Sequence, residues 1–322
     1  MHPLKTFLSQ ITIKNFHGEE ISKESKEYLY FIDFVDELCS AKNRTILYRG
    51  CNPEPIFQTK LFDIQGFSNK MFMLGEKSHL FESNKYPLIC IDDCSIAVFE
   101  FVFDRLHDKV CNLSFSNPNS LEKVKLFLEA NPSINKFFSN KNNKERFINK
   151  ISAMDDSSKR HVLDYYFSLL HTIGKSANGN SFFISTSKSI KIAEQFKNDG
   201  ILVITWVPSS ERNRQILCYK DINKLDNFIK AIGLPYFESS PYSNQEEVCI
   251  KGGILPHYII GYADKDSFIV NPNLITQISS SYDFESLLKD GILTDQTHFD
   301  NVLQKTKYKG GFLCKDGFYL DY

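Results

Sequence analysis

The sequence predicts an α+β fold. Segments with a helical period and segments with β character follow one another in irregular order, and no strand-helix-strand repeat recurs. No GxGxxG opens a helix after a strand, so nothing points to a doubly wound dinucleotide-binding sheet. The 322 residues are 42% apolar and 14% aromatic, enough to fill the core of one large domain or two modest ones.

The first strong element is ESKEYLYFIDFVDELCS (24–40). Tyr28, Phe31, Ile32, Val35, Leu38 and Cys39 recur there at helical spacing, with Asp33, Asp36 and Glu37 between them. RTILYRG (44–50) is short, rich in β-formers and closed by Gly50, so it reads as a strand that delivers Arg49 near its end. Residues 52–119 mix short apolar runs such as FMLGEKSHLF and YPLICI with turn residues and yield no clear order. From SLEKVKLFLEANP to KRHVLDYYFSLLHTIG the period is helical. Between 131 and 160 seven Lys or Arg stand against three acids, which a solvated helical face accounts for.

NSFFISTS reads as a strand, and SIKIAEQFKN as a helix with Ile192, Ala193 and Phe196 on one side and Gly200 as its stop. ILVITWVP is a buried strand ended by Pro208. DINKLDNFIKAIG is an amphipathic helix closed by Gly233, and an irregular loop, LPYFESSPYSN, follows it. QEEVCIKGG and PHYIIGY are strands, and FESLLKDGI and FDNVLQKTKYK are short helices.

Composition excludes several classes of partner. The formal net charge is -1 with no long run of one sign, so no nucleic-acid-binding tail or membrane-surface patch is encoded. No segment is apolar enough to span a bilayer, and MHPLKTFLSQITIKNF does not read as a secretory signal. The eight cysteines contain no CxxC and the eight histidines no HExxH or HxH, so free thiols and no metal are expected.

The stretch YSNQEEV (242–248) holds two adjacent glutamates. Side chains alternate along a strand, so Gln245 and Glu247 share one face with Cys249, and Glu246 shares the other with Val248 and Ile250. Val248 and Ile250 are the natural core-facing pair, which leaves the Gln245 and Glu247 face to line a cleft.

Three features therefore occur in order: an arginine at a strand end in YRG, a Ser-Thr-Ser (Ser185, Thr186, Ser187) that ends a strand and opens a helix, and a Gln-x-Glu that opens a strand. The set resembles the arginine-serine-glutamate class of ADP-ribosyltransferases, which includes many bacterial toxins and effectors. FFISTSKSIKIAEQFKNDGILVITWVP looks like that family's strand, Ser-Thr-Ser, helix and strand unit throughout. Tyr242, three residues before Gln245, is similar to the target-recognition turn of the clostridial Rho-modifying exoenzymes. The likeness covers roughly residues 44–50 and 180–262. More than 130 residues separate Arg49 from Ser185, a departure that implies a long insert.

The resemblance implies an ADP-ribosyltransferase-like fold of two packed, mainly antiparallel sheets around an NAD cleft. The domain would span 1–262, with a largely helical insert at about 60–175, and 263–322 would be a C-terminal extension. NAD would be the co-substrate, with no metal, and ADP-ribose would pass to a macromolecule with release of nicotinamide. Arg49, with Gly50 and the Ser185, Thr186 and Ser187 turn, would hold NAD, since a guanidinium can fork onto a phosphate as lysine cannot. The carboxylate of Glu247 would stabilise positive charge developing on the ribose, supported by Ser185, while Ser187 would cap the helix at 188–197. Gln245, also catalytic by resemblance, and Tyr242 would meet the acceptor, and an amide suits a protein side chain and a nucleic-acid base equally. An NAD glycohydrolase and an inactive transferase-fold binding module are the alternatives. The protein would act in the cytoplasm or be delivered into a target cell without a Sec signal peptide.

Overall fold

A computed structural model of the chain describes residues 2–40, 44–51, 94–113, 118–174, 183–208, 216–218, 222–239, 247–251, 259–271, 311–313 and 319–321. The fold is α+β. In chain order the described elements are α1 (Pro3–Ser9), β1 (Thr12–Lys14), α2 (Lys26–Ser40), β2 (Arg44–Cys51), α3 (Ile96–Cys111), α4 (Pro118–Ala130), α5 (Pro132–Phe138), α6 (Asn143–Ser152) and α7 (Asp156–Gly174). Then come β3 (Phe183–Ser187), α8 (Ile190–Gln195), β4 (Ile201–Pro208), β5 (Ile216–Cys218), a 3-10 turn (Asn223–Leu225) and α9 (Asp226–Ala231). β6 (Glu247–Lys251), β7 (Ile259–Asp264), β8 (Ser267–Val270), β9 (Gly311–Leu313) and β10 (Tyr319–Asp321) complete the set.

Eight strands hydrogen-bond into one sheet in the order β1-β8-β7-β4-β2-β3-β6-β5. The sheet is mixed: β1 runs parallel to β8, and its other neighbouring pairs are antiparallel. β9 and β10 form a separate antiparallel pair. The two packed sheets expected from the resemblance are thus not what the described strands form. β2 and β4 pair over eight positions, but β2 and β3 share one registered pair, Tyr48 with Ser187. That contact joins a five-stranded half to a three-stranded half edge to edge. The sheet also continues through Tyr262 into β8, past the boundary expected at 262.

Two cores flank β6. The first packs Phe31, Phe34, Val35 and Leu38 of α2 against β2, β4, β7 and β8, and takes Val248 and Ile250 from β6. The second is built by α3 to α7 with Ile222, Ile229, Leu234 and Phe237, and takes Cys249. Strand alternation therefore sends adjacent residues of β6 into different cores. Of residues 52–119, α3 buries Val98, Phe99, Phe101, Val102, Phe103 and Leu106 in the second core and leaves Arg105 and Asp108 exposed, while FMLGEKSHLF and YPLICI lie outside the described residues.

The basic stretch of α6 is not simply a solvated face. Lys144 pairs with Asp104 of α3 at 3.0 Å, and the Lys150 ammonium donates to the Ile232 carbonyl at 2.6 Å. Gly233 does close α9: at φ 70° it lets its own N–H reach Lys230 O and that of Leu234 reach Ile229 O, at 2.9 and 3.1 Å. α8 ends at Gln195 with Phe196 as its C-cap, short of Gly200, and Asn198 at φ 48° lies in the turn that follows, asparagine being tolerant of the left-handed region. FESLLKDGI and FDNVLQKTKYK lie outside the described residues. Among the described residues no helix is long and apolar enough to cross a membrane, and no two cysteines are joined in a disulfide.

Candidate functional site

β3 and β6 pair antiparallel, with Ser187 opposite Glu247 and Ser185 opposite Cys249. Directly opposed residues project to the same side of a sheet, so these four form one patch. Three of its four residues, Ser187, Glu247 and Cys249, are buried, and Ser185 is half-buried. Glu247 is 7% exposed and Cys249 fully buried, because the last turn of α7 lies against them. That turn carries His171, itself 3% exposed. Its Nε2 stands 3.1 Å from Ser185 Oγ and 3.4 Å from Glu247 Oε1, so one imidazole nitrogen touches both expected site residues.

Arg49 joins the group from β2. Its Nη1 donates to the Ser185 carbonyl at 2.8 Å, across the point where the two halves of the sheet meet. The guanidinium also hydrogen-bonds the thiol of Cys51, whose pKa burial pushes up and the arginine's charge pulls partly back. Any fork onto a phosphate must therefore use the remaining donors of the five on the group. Arg49, Ser185 and Glu247 thus lie within one connected set of contacts, with the Ser185 main chain held by Arg49 and its side chain by His171.

The other expected residues have local duties. Thr186 is buried, and its hydroxyl donates to the Val248 carbonyl, pinning β3 to β6 from within. Gly50 faces α8: a Cβ there would stand 2.0 Å from Ala193 O and 2.6 Å from Lys197 N, so the missing side chain is what admits the helix. Ser187 does not cap α8. Its Oγ accepts from the Ser189 N–H at 3.1 Å, and Ser189 is the cap, accepting from Ile192 N–H at 3.4 Å. The reason is that the helix starts at Ile190, two residues later than the sequence reading placed it. Tyr242, Gln245 and Glu246 lie outside the described residues.

His171 was missed. It sits in KRHVLDYYFSLLHTIG as one more helical position, 76 residues before Glu247, and no local pattern marks it. The only pointer was that Cys249 and Glu247 share a face that some element had to cover. His171, Glu247 and Cys249 also form, among the described residues, a set of three potential metal ligands whose donor atoms lie within 4.8 Å of one another. A search for HExxH, HxH or CxxC is blind to it because its members come from a helix and a strand remote in sequence.

No protein-family model, curated protein or solved structure matches the chain.

Proposed function

We propose that the chain is a mono-ADP-ribosyltransferase that moves ADP-ribose from NAD to a macromolecule and releases nicotinamide. The observation that supports this reading is the convergence of Arg49, Ser185 and Glu247. An arginine bonded to the backbone of a serine, and a carboxylate linked to that serine's hydroxyl through one imidazole, bring a phosphate-binding cation and a sugar-facing anion to one place.

The chemistry asks for this combination. The bond between C1' of the ribose and the nicotinamide nitrogen breaks, its electron pair going to the cationic ring, which leaves as neutral nicotinamide. Positive charge develops on the sugar and an acceptor lone pair closes on C1', the acceptor losing a proton. A largely buried carboxylate such as Glu247 acts strongly on that charge, because little water screens it, and it can accept a hydrogen bond from the 2'-hydroxyl. The remaining N–H groups of Arg49 suit the pyrophosphate.

The test is incubation of the full chain with labelled NAD, a cell lysate and total nucleic acid, with free nicotinamide measured in parallel. Label on a macromolecule is the expected result, and Glu247→Gln should lower turnover at least about 100-fold, as for loss of one preorganised charge. Nicotinamide release without label would mean that water is the acceptor and the chain a glycohydrolase. Absence of both turnover and NAD binding would overturn the enzymatic reading in favour of a binding module.

A further inference from the structure

We propose that His171 is a positioning residue: it holds the Glu247 carboxylate and the Ser185 hydroxyl in their working arrangement, so that the helical segment between β2 and β3 completes the site. This rests on the reading of Glu247 as the carboxylate that faces the ribose.

The protonation of the ring follows from its neighbours. A carboxylate oxygen only accepts hydrogen bonds, and a bare imidazole lone pair 3.4 Å from it would be repelled. The proton therefore sits on Nε2, shared between Glu247 Oε1 and Ser185 Oγ. The serine hydroxyl, which can both accept and donate, keeps its own hydrogen for another partner. His171 lies in the last turn of α7. Its backbone is held by the helix, and the adjoining turn is tightened by Thr172 Oγ1 donating to Ser168 O at 2.9 Å. The imidazole is thus a rigid donor from the helical layer, aimed at two residues of the sheet. Without it, Glu247 would lose the donor that the helical layer supplies, and a misplaced carboxylate stabilises the sugar cation less.

A donor that orients a carboxylate acts on the chemical step more than on NAD binding. His171→Leu should therefore lower kcat about tenfold or more, the rate equivalent of one hydrogen bond to a charged group, while KM for NAD stays within about threefold. His171→Gln, whose amide sets an N–H near the place of Nε2, should recover most of the loss. Unchanged kcat in a folded His171→Leu, with an active wild type, would overturn the proposal and leave the transferase reading intact. Equal loss in the leucine and glutamine variants would overturn it as well, since any substitution would then do. Ring ¹⁵N spectra give an answer that does not depend on turnover. The His171 signals, assigned by their absence in His171→Gln, should show the Nε2–H form and should shift in Glu247→Gln. An Nδ1–H form, or no shift, overturns the contact itself, whereas inactivity of the wild type toward NAD with the expected spectra would remove only the transferase reading.

Discussion

Arg49 and Gly50 are neighbours with opposite tasks. Arg49 donates to the Ser185 carbonyl and its charge acts on the Cys51 thiol, so it is a brace between the halves of the sheet; in the function proposed above it would also be the cation that meets the pyrophosphate. Gly50 is where the backbone of α8 touches β2, and a methyl group there would overlap Ala193 O. Because the obstacle is main chain rather than the end of a mobile side chain, relief requires moving a helix. Gly50→Ala is expected to destabilise the protein by about 3 kcal/mol or more, the upper part of the range for overpacking. Urea unfolding measures this. A loss under about 1 kcal/mol would show that α8 can retreat at little cost.

α8 illustrates how a short element is held. Six residues are too few to be helical by propensity, so packing on β2 and the cap decide. The serines before it form a chain: Ser187 Oγ takes the Ser189 N–H, and Ser189 Oγ takes the Ile192 N–H. Ser189→Ala removes the cap and should cost about 1 kcal/mol. Ser187→Ala loosens only the turn and should cost less, about 0.5 kcal/mol, the low end for a side chain to backbone bond. Thermal unfolding of both variants orders them, and a larger loss at Ser187 would return the capping role to it.

At the scale of the molecule, the helical core and the sheet are linked through the chain that leads into β6. Asn131 is fully buried between α4 and α5; its Oδ1 accepts from the N–H groups of Glu238 and Ser239 at 2.8 and 2.9 Å, while its Nδ2 donates to Phe127 O. Tyr165 OH donates to Asp226 and accepts from Phe237 N–H, and Tyr166 OH donates to Pro235 O at 2.8 Å. Residues 234–239, which have neither helix nor strand, are thus fastened by side chains of the helices. Asn131→Ala orphans two backbone donors at once and should cost about 2 kcal/mol or more in urea unfolding. A change below about 0.5 kcal/mol would mean that water replaces the amide.

Much of the local structure was legible in the chain itself. The spacing of Phe31, Val35 and Leu38 identified α2, the β-formers of RTILYRG and ILVITWVP identified β2 and β4, and alternation put Val248 and Ile250 together on one side and Glu247 with Cys249 on the other. Such features are local because a period of 3.6 or 2 is written in the nearest few residues. What no period contains is the identity of the covering partner. That β2 and β3 meet at one pair, that Gly50 opens room for α8, and that a histidine on α7 closes over Glu247 are decided by contacts between segments tens of residues or more apart. The alternation in QEEVCI shows that one face of β6 differs from the other; only the packing of the helical core made the polar face a buried one.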